Sequence, residues 1–338
     1  TLSAFGSGPQ PIAHRLRFQL LMEMGVAVAA GLAAGALLGR FPPWRRWIVI
    51  GGVLALGVAP ALKLEKFARR EIRPVDVTAT IEHQEARWLQ QNMPGSRVLA
   101  PGSIRFFLNA VADVPQFAGG FDPGAINPLF PAVWHQILSG QNAGEREGEV
   151  AVLWLKAYGL GAVAVSGPNS REAYRDYRNP RKFEGLLPEV WRDGDDVIYR
   201  VPRRSASLAH VVDPSALPAR RPAHGLDIEP VVPYVRALEA ASLPPARMTW
   251  MNHHQAVVET EMRAGQVLSI QISHHPGWRA SCGARPLPVR GDALGQLVVG
   301  PGCEGHCTVL LDYNRGLEGR LTSLASLGAL AAAPASGL

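Results

Sequence analysis

The chain has 338 residues, room for two or three domains, and 47% of them are hydrophobic against 18% charged. Its net charge of +6 is concentrated near the start, since residues 1–75 carry ten Lys and Arg and three Glu, whereas the remainder carries 24 basic and 25 acidic residues. Binding to a phosphate backbone needs a clustered excess of Lys and Arg, so this distribution argues against nucleic acid as a partner.

The first part of the chain predicts a membrane anchor. Residues 18–39 and 47–63 are two largely apolar runs, joined by the arginine-rich loop RFPPWRR at 40–46. About 20 apolar helical residues span the hydrocarbon core of a bilayer. Short arginine-rich loops lie in the cytoplasm, so residues 1–17 and everything after 63 are predicted to be extracytoplasmic. This interpretation predicts a multi-pass membrane protein with the lipid bilayer as a partner, and a buried helical hairpin is the alternative.

Residues 75–212 predict an extracytoplasmic α/β or α+β domain. A helical spacing of apolar residues is followed by a short apolar strand, and the same order occurs a second time. A hairpin that turns near Asp193-Gly194 completes the domain. The predicted elements are a helix at 77–91, a strand at 97–100, a helix at 149–158, a strand at 162–166 and the hairpin at 190–201.

The last third of the chain predicts an all-β sandwich. Pro and Arg cluster in residues 213–245, which favours a linker. In residues 246–320 the apolar period becomes two, as in VLSIQIS at 267–273, and glycine-rich turns separate the strands. Residues 321–338 are uncharged and apolar, which favours the start of a further transmembrane helix, and a frayed Ala-rich tail is the alternative.

Three cysteines fall in the predicted sandwich. Cys303 and Cys307 can close a disulfide across a turn and leave Cys282 unpaired. A zinc site that combines the cysteines with His306 is the alternative, although C-x3-C with an inserted His is not a standard ligand spacing. We therefore predict the disulfide and no metal site.

The loop GGFDPGAINP at 119–128 is the best candidate for a binding site. Its glycines and prolines allow close approach, while Phe121, Asp122 and Asn127 offer a stacking face, an acid and an amide. Such a combination suits sugar binding. The alternative is an ordered turn in which Asp122 caps the following helix.

Two pairs of adjacent histidines stand out in the predicted sandwich, at 253–254 and at 274–275. Neighbours in a strand point to opposite faces, so neither pair makes a bidentate site by itself. Structural histidines are therefore the favoured interpretation.

Longer stretches resemble known membrane proteins. The run RWLQQNMPGSRVLAPGSIRFFLNAVADVPQFAGGFDPG resembles bacterial multi-pass proteins of the 6-pyruvoyl-tetrahydropterin synthase-related type. The run ISHHPGWRASCGARPLPVRGDALGQLVVGPGCEGHCTVLLDY is similar to the terminal β domain of YfhO-type membrane proteins. The run VSGPNSREAYRDYRNPRKFEGLLPEVWRDGDDVIYRVP resembles the same 6-pyruvoyl-tetrahydropterin synthase-related proteins. Together the resemblance covers roughly residues 77–320, and it implies the bacterial cytoplasmic (inner) membrane as the location.

Such proteins resemble the GT-C class of glycosyltransferases, which take sugar from a polyprenyl-phosphate donor. The resemblance implies a catalytic acid upstream of Thr1, so no catalytic residue is carried over onto this chain. It also implies no cofactor within the chain, although the full-length protein could use a divalent metal. We expect the chain to shape or recognise an envelope glycan that accepts the sugar. A non-enzymatic envelope protein that binds glycan or partner proteins is the alternative.

Overall fold

The computed structural model describes residues 25–26, 28–29, 31–32, 34–36, 39–71, 75–117, 119, 126–314 and 316–332. The chain divides into two compact units, Thr1–Asp76 and Val77–Leu338. The described helices are α1 (Pro43–Glu71), α2 (Ile81–Asn92), α3 (Ile104–Val111), α4 (Phe130–Ser139), α5 (Glu147–Ala157), α6 (Val231–Leu238) and α7 (Gly316–Ala332). The strands are β1 (Val98–Leu99), β2 (Ala162–Ser166), β3 (Glu189–Asp193), β4 (Asp196–Arg200), β5 (Ala209–Val212), β6 (Ala246–Asn252), β7 (Gln255–Met262), β8 (Val267–Ser273), β9 (Trp278–Cys282), β10 (Arg285–Leu287), β11 (Val289–Gly291), β12 (Gln296–Val299) and β13 (Gly305–Tyr313).

The predicted membrane anchor is wrong. In the described part of the chain, no helix combines the length and the apolar character needed to cross a bilayer. The uncharged run of α1, between Arg46 and Lys63, has 16 residues and covers only about 24 Å of a core roughly 30 Å thick. The multi-pass inner-membrane location depended on this anchor and is therefore wrong as well. The extracytoplasmic placement of the remainder has no support without the anchor.

The other two predicted spans fall partly outside the described residues. Most of the run at 18–39 is not described, although its described positions between 25 and 36 are helical. The run at 321–338 lies in α7 as far as Ala332, and residues 333–338 are outside the described part. Helix α7 is one of the described helices, none of which is long and apolar enough to cross a bilayer.

Residues 81–200 build a three-layer α/β arrangement. Its sheet has the order β1-β2-β4-β3, with β1 parallel to β2 and the other pairs antiparallel. The central strand β2 is buried on both faces. Ala162 and Ala164 pack towards α2 and α3, whereas Val163 and Val165 pack into the core that α4, α5 and α6 share. Burial on both faces explains why this strand reads as a continuous apolar run.

Strands β5 to β13 form a β-sandwich of two antiparallel sheets. One sheet has the order β10-β9-β13-β7-β6 and the other β11-β12-β8-β5. In β7 the side chains alternate, and Ala256, Val258 and Met262 point into a core that also contains Leu268 and Ile270 of the opposite sheet. The alternation that predicted these strands therefore marks the surface that each sheet turns to the other.

The segment predicted as a linker, 213–245, is ordered and partly buried. It contains α6, whose Val231, Tyr234 and Leu238 belong to the core of the α/β layer. Strand β5, which precedes it, already pairs with β8 of the sandwich. The segment thus passes between the two layers as part of a common core.

Side chains from the sandwich cap the carboxyl end of α5. The Gln271 amide on β8 donates to the carbonyls of Lys156 (2.8 Å) and Ala157 (3.0 Å), and the Gln296 amide on β12 donates to Ala157 (2.8 Å). Both glutamines are buried. The last carbonyls of a helix have no partner within the helix. The Lys156 carbonyl also accepts the Gly159 N–H (3.0 Å), whereas among the described residues the Ala157 carbonyl has only the two glutamine amides as donors. The two layers are joined by this contact.

We expect Gln271→Ala to lower the free energy of unfolding by about 2 kcal/mol, because it removes two buried hydrogen bonds to the end of α5 and leaves the ring of His210 without its Gln271 partner (3.1 Å). Chemical denaturation followed by circular dichroism measures the change. Gln91→Ala, at an exposed position on α2, is the matched control and should change stability little. Equal stabilities of the two variants would contradict the capping role of Gln271.

A buried carboxyl group lies in the turn between β11 and β12. Burial raises the pKa of Asp292 to about 6, against the opposing effect of the backbone N–H groups of Gln296 and Leu294 that donate to it. The folded protein therefore keeps this proton between pH 4 and 6, where the unfolded chain has lost it. The contribution of Asp292 to stability consequently falls as pH rises through this window.

The variant Asp292→Asn should gain stability relative to the wild type as the pH rises from 4 to 7, by up to about 3 kcal/mol. The asparagine oxygen can still accept both N–H groups but carries no charge. Urea denaturation of both proteins at several pH values measures the difference. Asp113→Asn, at an exposed carboxylate, controls for the loss of one acid. A difference that stays constant or reverses over this range would contradict the prediction.

Candidate anion-binding site

A cavity of about 370 Å³ opens between α3, α4 and the loop that follows β2. We call it the arginine cleft. Its lining combines three arginines, a histidine and an acid with two aromatic rings, and consists of Arg105, Trp134, His135, Leu138, Ser139, Arg175, Asp176, Tyr177 and Arg178.

Helices α3 and α4 bring an arginine against an aromatic ring. Helix α4 carries a proline in its first turn and ends at Gly140, which adopts the left-handed conformation that favours glycine. The Arg105 guanidinium on α3 lies 5.4 Å from the ring centre of Trp134 and 4.7 Å from that of Phe106. These rings orient the charged group at the edge of the cavity.

A buried carboxylate fixes the start of the arginine-bearing loop. Glu172 accepts the Ser103 hydroxyl (2.7 Å) and the backbone N–H groups of Ser103, Tyr174 (2.9 Å) and Arg175. Burial acts to raise the pKa of Glu172, but these hydrogen bonds outweigh it and lower the pKa below the usual value. A side chain at Gly102 would lie 2.5 Å from this carboxylate, so only glycine fits there. The carboxylate thus ties the loop to the start of α3.

A buried lysine fixes the other end of the loop. Lys182 donates to the carbonyls of Ile137 and Leu138 (3.3 Å) at the end of α4. Burial lowers the pKa of Lys182 to about 8, with Glu147 opposing the shift. Between these ends, the Arg178 N–H also donates to the Leu138 carbonyl (3.2 Å). The loop is therefore held at both ends, which places its arginines at the cavity.

The cleft has an excess of positive charge. Within the described part of the chain, the Arg178 guanidinium makes no hydrogen bond or ion pair. Asp176, the acid in the lining, accepts the Gly102 N–H (2.9 Å). An adjoining cavity of about 480 Å³ shares Arg175 and Arg178 and adds Arg181. The flat guanidinium groups can bind a carboxylate or phosphate through two parallel hydrogen bonds.

The residues predicted to bind sugar are only partly visible. Phe121 and Asp122 lie outside the described residues. Asn127 is buried, where its amide donates to the Leu294 carbonyl (2.7 Å) and its oxygen accepts the Leu129 N–H (3.0 Å). Its polar atoms are thus engaged within the fold, and a binding role for the three residues stays a prediction.

The glycine loop nevertheless begins near the cleft. Phe117, just before the loop, packs on Phe130 at 4.9 Å between ring centres, and Phe130 packs on Trp134 at 5.9 Å.

Our sequence reasoning missed the arginines of the cleft. The signal was present in REAYRDYRNPR at 171–181, where arginine recurs every three or four residues.

The three cysteines meet at one end of the sandwich. Cys303 and Cys307 are joined by a disulfide, while Cys282 is free, with its sulfur 2.8 Å from that of Cys303. Among the described residues, no group of three or more His, Cys, Asp or Glu is arranged to hold a metal ion.

The search for related proteins gives no further guide to function. Comparison with protein-family models, curated proteins and solved structures finds no match. The resemblance to YfhO-type proteins therefore stays a prediction, and the residues themselves carry the functional argument.

We expect non-reducing peptide mapping to find Cys303 linked to Cys307 and Cys282 open to alkylation. Because the Cys282 sulfur lies next to that of Cys303, Cys307→Ser should move the disulfide to Cys282–Cys303. Cys282→Ser is the control and should leave the Cys303–Cys307 link intact. Recovery of wild-type Cys282 in a disulfide, or stoichiometric zinc with three free thiols, would contradict this assignment.

Proposed function

We propose that this chain is a recognition module that binds an acidic saccharide in the arginine cleft. The proposal is supported by one observation above all. Three arginine side chains from α3 and from the loop after β2 line one cavity, and the guanidinium of Arg178 has no hydrogen-bond or ion-pair partner among the described residues.

The rest of the lining favours an acidic sugar over a simple inorganic anion. A uronic acid combines a carboxylate with several hydroxyl groups. The arginines match the carboxylate, whereas His135, Ser139 and Asp176 offer hydrogen-bonding groups for hydroxyls. The carboxylate of Asp176 would repel a bare anion but accept hydrogen bonds from a sugar. The cavity volume is also within the range of small-ligand sites.

The expected role in glycosyl transfer is a narrower proposal, because it requires that the chain bind a glycan and makes a further claim about that glycan. It adds that the bound glycan is the acceptor of a sugar from a polyprenyl-phosphate donor, with catalytic groups and any divalent metal supplied by a longer protein. The alternative is binding without transfer. Both require the chain to recognise a glycan, so binding is the step to test first.

Arg178→Gln should weaken the binding of a galacturonate hexasaccharide about tenfold, because a charge-assisted hydrogen bond contributes roughly 1.5–3 kcal/mol. Isothermal titration calorimetry measures the dissociation constant. The methyl-esterified hexasaccharide keeps the sugar but lacks its charges, and wild-type protein should bind it more weakly.

Arg236→Gln is the matched control, because it removes the same charge from an exposed position on α6 outside the cleft. Its affinity for the acidic hexasaccharide should equal that of the wild type. Equal losses in both variants would indicate non-specific attraction, and no binding by wild-type protein would refute the proposal.

A further inference from the structure

A row of aromatic side chains lies at one end of the five-stranded sheet, on the face that the sheet turns to the sandwich core. Trp278 on β9 lies directly opposite Tyr313 on β13. Trp250 on β6 is paired with Ala256, which is itself paired with Leu311. Residues directly opposite in antiparallel strands share a face, and alternate residues along a strand do so too. Trp250, Trp278 and Tyr313 therefore lie on the face that the sheet turns to the sandwich core.

The core covers this row only in part, and Trp278 packs against it. Ala256 and Leu311 are fully buried, but Trp250 is 45% exposed. The ring centres of Trp250 and Trp278 are 6.3 Å apart, and those of Trp278 and Tyr313 are 5.1 Å apart. Successive rings are tilted by 55° and 52°, so the row forms a stepped aromatic surface at the end of the sandwich, and Trp250 is its strongly exposed member. An exposed tryptophan of this kind is unusual for a side chain that only fills a core.

One histidine from each adjacent pair joins the row. The rings of His254 and His275 lie 6.0 Å and 5.3 Å from the ring of Tyr313. His275 Nδ1 accepts the Gly277 N–H (2.9 Å), so the imidazole proton is on Nε2. Among the described residues no hydrogen bond is made by this Nε2 group, which leaves a donor beside the rings.

We infer that this aromatic row is a second binding site, specific for the pyranose rings of a neutral saccharide. The apolar C–H face of a sugar can pack on tryptophan and tyrosine rings, while its hydroxyls need polar groups at the rim. The row supplies both, with aromatic faces and the Nε2–H of His275. It shares no residue with the arginine cleft, so the inference does not depend on the proposed function.

A protein partner fits this surface less well. A stable protein interface buries about 800 Å² on each side, whereas one aromatic side chain contributes at most roughly 250 Å². The row has one strongly exposed ring, Trp250, beside two partly covered ones. Its size therefore matches one or two sugar rings.

The test uses cellohexaose and chitohexaose as probes. Titration of wild-type protein should change the tryptophan fluorescence and give a measurable dissociation constant for at least one of them. Trp250→Ala should weaken that binding about tenfold, whereas Trp250→Phe, which keeps an aromatic ring, should stay within about threefold of wild type. Leu310→Ala removes an exposed apolar side chain from the other face of the same sheet and should have no effect.

Three results would overturn the inference. The first is that neither probe binds at millimolar concentration. The second is that Trp250→Ala binds the probe as tightly as the wild type does. The third is that the wild type is a dimer and Trp250→Ala is a monomer. The last would make the row a contact between copies of the chain. Arg178→Gln should bind the neutral probes normally, so failure of this site and failure of the arginine cleft can be told apart.

Discussion

The glutamine cap on α5 is the contact on which the arrangement of the larger unit depends. A buried carbonyl without a donor costs about 1–3 kcal/mol, and α5 ends where water cannot reach it. Gln271 and Gln296 supply the donors from two neighbouring strands of the sandwich. The α/β layer and the sandwich are therefore chemically incomplete without each other. This explains why residues 77–338 form one unit even though their strands belong to two architectures.

The arginine cleft depends on the same kind of buried polar contact. Exposed arginines are ordinarily flexible, and ordering a long side chain on binding costs affinity. Here Glu172 and Lys182 hold the loop against α3 and α4 before any ligand arrives. Each is a charged group whose burial is unfavourable unless its hydrogen bonds are satisfied. Their cost in stability is offset by a backbone that presents Arg175 and Arg178 in fixed positions.

Local patterns predicted the elements but not the way they assemble. The period of two in β7 and β8, and the apolar run of β2, reflect burial that each strand experiences wherever it is placed. The linker prediction for 213–245 gave weight to proline and arginine over the spacing of Val231, Tyr234 and Leu238, which is the signature of α6. The membrane prediction failed because helix α1, although 29 residues long, has only 16 uncharged residues between Arg46 and Lys63. The cleft joins Arg105 to Arg178 across some 70 residues, a proximity that only the tertiary fold creates.

The two proposed sites differ in the force that each would use, and this difference would give them separate roles. Charge recognition in the arginine cleft is screened by salt and depends on guanidinium geometry. Packing on the aromatic row would depend on apolar area and would not be screened by salt. A glycan that carried both acidic and neutral sugars could engage both, and the second contact would then form at the high effective concentration set by the first. Selectivity would come from the order of sugars along the glycan, because neither site alone distinguishes that order.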